Sequence, residues 1–131
     1  MSASEARRWL EFAEEDLETA ELELREQRPP RTAGFSAEQA AEKALKSLII
    51  ASGATPPRTH DLNELIQLVP TTWDTSGVDA DLALLSQLAV ETRYPDTAAT
   101  ITRAQAEAAV ADARKLVEAA RRDLAREEPE S

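Results

Sequence analysis

Among the side chains that could do chemistry, the one histidine of the chain is the first to consider. His60 lies in the segment Pro57-Arg58-Thr59-His60-Asp61-Leu62. Imidazole titrates close to neutral pH, so it can act as a general acid or base, or bind phosphate when it is protonated. The alternative is structural, with His60 hydrogen-bonded to the preceding loop while Asp61 caps the next helix. We favour a structural or binding role over catalysis.

A second group of polar residues shares one face of a predicted helix at spacings i, i+3, i+4 and i+7: Gln39, Glu42, Lys43 and Lys46. Lysine binds phosphate as a point charge, so this face could hold a nucleotide. The alternative is a solvated face in which Glu42 and Lys46 form an i, i+4 ion pair. Asp16 lies at the edge of an apolar stripe and must find a partner, for which Lys43 on the adjacent helix is a candidate. A structural ion pair and a polar site both stay open.

A metal site is not predicted from these residues. The chain has no cysteine and one histidine, so carboxylates would have to complete any coordination shell. No phosphate-binding glycine loop, dinucleotide fingerprint or serine nucleophile motif is present either. We therefore predict neither a metal nor a cofactor.

The elements that position these residues are predicted to be helices. Apolar residues recur every three or four positions, and no segment alternates with a period of two, so the fold class is all-α. Prolines, Gly53 and the capping pairs Ser36–Gln39, Asp61–Glu64 and Thr102–Gln105 separate the helices. The pattern predicts an up-and-down bundle of four to five helices, with long helices near 4–27, 36–52, 79–91 and 102–126 and a short one near 62–69.

Length, composition and charge limit the class of protein. A chain of 131 residues predicts a single domain over 1–131, with a frayed tail from about 127. The core is lean, because 25 residues are alanine and aromatics make up 4%, so a second subunit would add buried surface and we expect a dimer.

The net charge and the hydropathy exclude two classes of partner. A net charge of −10 argues against duplex DNA, whose binding depends on neutralised phosphates. No apolar run approaches the roughly 20 residues of a membrane span. The N-terminus also lacks the apolar run of a signal peptide, so we expect no membrane partner and a cytoplasmic location.

Four segments occur in an order that closely resembles the HEPN domain family (higher eukaryotes and prokaryotes nucleotide-binding). They are Ala13-Glu14-Glu15-Asp16-Leu17 with Ala20, Gln39-Ala40-Ala41-Glu42-Lys43-Ala44-Leu45-Lys46, Arg58-Thr59-His60-Asp61-Leu62 and Arg93-Tyr94-Pro95-Asp96. The likeness runs from about Arg8 to Leu124. It implies a helical bundle, commonly a homodimer, that is often encoded beside a minimal nucleotidyltransferase and forms a complex with it, sometimes as a toxin–antitoxin pair.

Other members of the family that the chain resembles are ribonucleases, which use an arginine followed after four to six residues by a histidine. At that distance before His60 stand Gly53, Ala54 and Thr55. At that distance after Arg93 stand Ala98, Ala99 and Thr100, and Arg58 is only two residues from His60. The sequence therefore departs from the pattern of the nucleases.

We predict a non-catalytic HEPN-type module, dimeric, that binds a nucleotide, a minimal nucleotidyltransferase, or both. Its polar groove would be lined by Asp16, Gln39, Lys43, Lys46, Arg58, His60 and Arg93. Two alternatives remain: a metal-independent ribonuclease that uses His60 and an arginine of the partner subunit, and a structural helical adaptor without a ligand.

Overall fold

The computed structural model describes residues 2–91 and 101–127. The described residues form five α-helices and one short 3-10 helix, with no strand, which confirms the all-helical fold class. The helices are α1 (Ser2–Arg25), α2 (Pro30–Ala51), α3 (Leu62–Ile66), α4 (Leu82–Glu91) and α5 (Arg103–Glu127), and the 3-10 helix (Asp74–Gly77) lies between α3 and α4. The tail predicted to fray lies almost wholly outside the described residues.

The helix α2 is the centre of the bundle, since it contacts each of the other four α-helices. Buried alanines on α1, α2 and α5 let the three long helices approach closely, and Leu45, Leu48 and Leu116 fill the space between them. None of the helices in the described ranges is both long enough and apolar enough to cross a membrane.

The junction between α1 and α2 differs from the prediction. The second helix begins at Pro30 rather than Ser36, because a proline at the first helical position has a suitable φ and needs no amide hydrogen there. Ser36 lies inside the helix, and its hydroxyl donates to Glu23 Oε1 at 2.8 Å instead of capping.

Two helix ends use the same C-terminal motif. After α2, Gly53 adopts a φ of 96°, and the amide of Ala54 donates to the carbonyl of Ile49 at 3.1 Å. After α1, Gln27 takes this left-handed position with a φ of 55°, and the amide of Arg28 donates to the carbonyl of Glu23 at 2.9 Å. The predicted end of α2 is confirmed to within one residue, and α1 ends at Arg25, two residues early.

Of two further predicted capping pairs, Thr102–Gln105 is formed in full, and Asp61–Glu64 is formed on the aspartate side alone, since the amide of Asp61 donates to Thr59 Oγ1. The side chain of Asp61 accepts from the amides of Asn63 and Glu64 at the start of α3. Before α5, the amide of Thr102 donates to Gln105 Oε1 at 2.9 Å, while the amide of Gln105 donates to Thr102 Oγ1 at 3.0 Å. The helix α3 stops at Ile66, three residues short of the prediction, and α4 begins at Leu82 rather than 79 because Asp81 caps it through the amide of Leu84 at 3.0 Å.

The segment that was predicted as a loop near Trp73 contains the 3-10 helix, which Asp123 of α5 holds in place. This carboxylate is buried, and it accepts from the amides of Asp74 and Thr75 at 2.8 Å each and from Thr75 Oγ1 at 2.6 Å. Trp73 packs partly buried against the core, as the sequence predicted.

Candidate functional site

A largely buried cluster of polar side chains surrounds Glu42, in the middle of α2. Lys46, one turn further on, donates from Nζ to Glu42 Oε2 at 2.9 Å. The imidazole of His60 places Nδ1 at 2.7 Å from Glu42 Oε1, so both carboxylate oxygens have a partner. Glu38, one turn before Glu42, completes what we call the Glu42 cluster: Glu38, Glu42, Lys46 and His60.

The chain returns His60 to α2 through the loop that follows Gly53. The amide of Thr59 donates to the carbonyl of Pro57 at 3.0 Å, and the amide of Asp61 donates to Thr59 Oγ1 at 3.0 Å, so the segment is tightly turned. Leu62 is fully buried, and its amide donates to Ser86 Oγ of α4 at 2.9 Å. This anchor fixes the position from which His60 reaches Glu42.

Glu38 is the unusual member of the cluster, because its side chain is 0% exposed. Oε1 accepts from Gln39 Nε2 at 2.7 Å, but the buried Oε2 has no hydrogen-bond partner among the described residues if Glu38 is ionised. Burial, followed by the neighbouring carboxylate of Glu42, raises the pKa of Glu38 from 4.5 to about 9. Two carboxyl groups can share a hydrogen bond only through a proton, so at neutral pH Glu38 is protonated and donates to Glu42.

The pKa of Glu42 shifts in the opposite direction. Burial raises the pKa of Glu42, but the hydrogen bonds that it accepts from Lys46, His60 and Glu38 outweigh burial and hold the pKa below its usual value. The cluster therefore contains one neutral and one ionised carboxyl group a single turn apart. Neighbouring carboxyl groups whose pKa values shift in opposite directions occur both in functional sites and in structural ion-pair networks.

The pair predicted between Asp16 and Lys43 joins α1 to α2. Lys43 Nζ lies 2.6 Å from Asp16 Oδ2, and each side chain is 28% exposed. Lys46 also lies above the ring of Trp9 from α1, with 6.0 Å between Nζ and the centroid.

The structure brings some of the predicted site residues together at the Glu42 cluster and leaves others apart from it. Lys46 and His60 meet at Glu42, and Gln39 bonds Glu38. Arg58 is exposed and forms no ion pair with the described residues. Arg93 lies outside the described residues.

The sequence did not single out Glu38, and it offered Glu42 and Lys46 as part of a solvated face. The i, i+4 ion pair of that alternative is confirmed, but the face is not solvated, because the side chains of Glu42 and Lys46 are only 9% and 13% exposed. The partner found for His60, Glu42, was not anticipated. The signal that could have found the cluster is the i, i+4, i+8 spacing of Glu38, Glu42 and Lys46 within an otherwise alanine-rich, buried stretch.

The Glu42 cluster also gathers metal-ligating groups. One ligand atom each from Glu38, Glu42 and His60 lies within 4.8 Å of the others. Of these side chains, the imidazole is the most open to solvent, at 39% exposed. The cluster can hold the imidazole of His60 and the ammonium of Lys46 in fixed positions. At its outer edge it can present hydrogen-bond donors to a ligand.

Comparison with known proteins identifies the family. The model of the HEPN domain matches residues 6–123. The crystal structure of TT1696 from Thermus thermophilus is similar, with 30% identity, a TM-score of 0.75, and coverage of 90% of this chain and 97% of that one. The structure of ST0689, an archaeal HEPN homologue, is 26% identical with a TM-score of 0.56, and 93% of each chain is covered. No curated protein matches the chain. The chain belongs to the HEPN domain family.

Proposed function

We propose that this protein is a non-catalytic HEPN module that binds a nucleotide at the outer edge of the Glu42 cluster, as a dimer and together with a minimal nucleotidyltransferase. The observation that carries the proposal is the hydrogen bond of His60 to the buried Glu42, combined with the missing arginine at the spacing used by the nucleases of the family.

The proposal that the module is non-catalytic is supported by the residues that precede His60. A ribonuclease needs a cation that stabilises the charge developing on the phosphate, and preorganised groups of this kind usually supply the largest share of the catalysis. In this sequence, Gly53, Ala54 and Thr55 stand where the arginine would be. The carboxylate of Glu42 orients the imidazole, as carboxylates do for binding and for catalytic histidines, so the missing arginine is what argues against catalysis.

Nucleotide binding is supported by the donors at the edge of the cluster. Arg58 is exposed, two residues before His60, and a guanidinium without a carboxylate partner is suited to a phosphate. Lys43 is partly exposed, but a phosphate would have to compete with Asp16 for its ammonium. Lys46 is already committed to Glu42. We therefore assign the phosphate contacts to Arg58 and His60 first and to Lys43 second.

Thermal shift measurements with ATP, GTP and their diphosphates test the binding. A ligand that binds only the folded state raises the midpoint by an amount that grows with its concentration. We expect Arg58→Ala to remove most of the shift and Arg31→Ala, which changes an exposed arginine on the first turn of α2, to leave it unchanged. If no nucleotide shifts the midpoint, the nucleotide proposal fails and the structural adaptor is the better description.

A cleavage assay on single-stranded RNA in EDTA separates the module from a ribonuclease. We expect no cleavage by the wild-type protein. Cleavage that His60→Ala abolishes would overturn the proposal in favour of the metal-independent ribonuclease, with an arginine from the partner subunit.

The partner and the dimer are tested separately. We expect sedimentation velocity to give twice the mass of the chain, and co-expression with a minimal nucleotidyltransferase encoded next to this gene to give a stable complex. A toxin–antitoxin function further requires that the partner change the growth effect of this chain when both are expressed. A monomer that does not bind such a partner would contradict this part of the proposal.

A further inference from the structure

Three metal-ligating side chains from two separate segments of the chain converge on one point of the Glu42 cluster. Glu38 and Glu42 come from successive turns of α2, and His60 comes from the loop before α3. One carboxylate oxygen of each glutamate and one ring nitrogen of His60 lie within 4.8 Å of one another. Because a histidine and two carboxylates from separate turns meet here, the group has the ligand set of a divalent metal site.

A second, independent observation points to a ligand at the same place. The Glu38 side chain is 0% exposed, and once the carboxyl group loses its proton, its Oε2 is a buried atom without a hydrogen-bond partner among the described residues. An ionised oxygen buried in this way is costly, and a divalent cation that takes the place of the proton between Glu38 and Glu42 would satisfy it.

The surrounding contacts leave one oxygen of each carboxylate for an ion. Gln39 Nε2 donates to Glu38 Oε1 at 2.7 Å, and Lys46 Nζ donates to Glu42 Oε2 at 2.9 Å. Outer contacts of this kind orient the carboxylates of metal sites. The oxygens that remain are Glu38 Oε2 and Glu42 Oε1, and Glu42 Oε1 already faces the imidazole of His60.

We propose that Glu38, Glu42 and His60 bind one divalent transition-metal ion of the zinc class. An imidazole nitrogen with two carboxylate oxygens favours Zn²⁺, Co²⁺ or Ni²⁺ over Mg²⁺ and Ca²⁺, which prefer ligand sets made of oxygen alone. Three protein ligands leave a coordination position for water. The site shares His60 with the proposed nucleotide contacts, but zinc binding requires neither Arg58 nor Lys43 and is tested without a nucleotide.

The arrangement needs a small adjustment to accept an ion. His60 Nδ1 and Glu42 Oε1 are 2.7 Å apart, at hydrogen-bond distance, whereas two ligands of a tetrahedral zinc ion stand about 3.3 Å apart. His60 lies on a loop and its side chain is 39% exposed, so the imidazole can move outward by this difference. The sequence had argued against a metal because one histidine stands alone. The fold supplies two carboxylates beside it, one of them fully buried.

Isothermal titration of ZnCl₂ into the full chain tests the site. The protein should carry no polyhistidine tag, since a tag binds the same ions, and it should be stripped with EDTA and dialysed first. We expect one zinc per chain, no comparable binding of Mg²⁺, and affinity at least tenfold weaker in Glu38→Gln and in His60→Gln. Glu64→Gln, which changes an exposed carboxylate on α3, is the matched control and should bind like the wild type.

The one histidine of the chain gives a second measurement. Because the imidazole resonances in an NMR spectrum belong to His60, they should shift on addition of zinc in step with the titration. Absence of zinc binding by the folded wild type overturns the proposal. Wild-type affinity in the Glu38→Gln variant, or unchanged His60 resonances at saturation, would also overturn it, because the ion would then lie elsewhere.

Discussion

Replacing Glu38 with glutamine should stabilise the metal-free protein at neutral pH, although it changes a fully buried residue. Glutamine has the shape of the protonated carboxyl group and cannot ionise. Its amide can donate to Glu42 as the protonated Glu38 does, and its oxygen can still accept from Gln39. The substitution therefore keeps the contacts of the folded state and removes the cost of keeping a proton on Glu38.

The magnitude follows from the pKa of Glu38, which burial and then Glu42 raise from 4.5 to about 9. Below pH 4.5 the carboxyl group is protonated in both the folded and the unfolded state, so it adds no pH dependence. Above that pH the unfolded chain ionises while the folded state keeps its proton. The free energy of unfolding then falls by about 1.4 kcal/mol per pH unit until the pH passes the folded pKa. By pH 7 the difference between variant and wild type reaches about 3 kcal/mol.

Urea unfolding followed by circular dichroism at pH 5, 6, 7 and 8, with EDTA throughout, measures this difference. The free energies of the two proteins should diverge as the pH rises, with equal m values. The free energy of unfolding of Glu64→Gln should change with pH as that of the wild type does, because Glu64 is exposed. If the free energies of unfolding of the wild type and of Glu38→Gln change with pH in the same way, then Glu38 is ionised in the folded state and our account of the cluster is wrong.

Three further predictions concern other polar contacts and one backbone position. Glu42→Gln should destabilise the protein by about 3 kcal/mol, because Lys46 and His60 lose a buried anion. The pKa of Glu42 is lowered on folding, so the destabilisation should have its full size above the usual pKa range of a carboxyl group. It should become smaller as acid protonates Glu42 in the wild type, and urea unfolding curves from pH 7 to pH 3 would show this decrease. Asp123→Asn should cost about 2–3 kcal/mol in urea unfolding, and the amide of Thr75 should exchange faster with solvent, because the asparagine NH₂ cannot accept from the 3-10 helix; unchanged exchange at Thr75 would contradict the anchoring role. Gln27→Gly should raise stability by about 0.5–1 kcal/mol, because its φ of 55° favours glycine, and a decrease in the urea midpoint would refute this.

Local sequence signals predicted those parts of the fold that depend on neighbouring residues. The capping pair Thr102–Gln105, the Asp61 cap and the glycine at the end of α2 are all formed as predicted. The start of α2 was misplaced because Pro29-Pro30 was interpreted only as the end of one helix. A proline is equally suited to the first turn of the next helix.

The candidate site was predictable only in part. The Asp16–Lys43 pair followed from an apolar stripe with one carboxylate at its edge and an antiparallel neighbour. The role of Glu38 did not follow, because helix periodicity places it one turn from Glu42 without revealing that both are buried.

The sequence by itself determined that this chain is an all-helical member of the HEPN family with one imidazole, since helix periodicity and ordered motifs are properties of short segments. Only the tertiary structure decided what that imidazole meets. The loop after Gly53 brings His60 back across 18 residues to Glu42, and packing of α2 inside the bundle removes water from Glu38. Burial and contacts between distant segments set the charge state of each carboxyl group, and they arise only when the helices pack together.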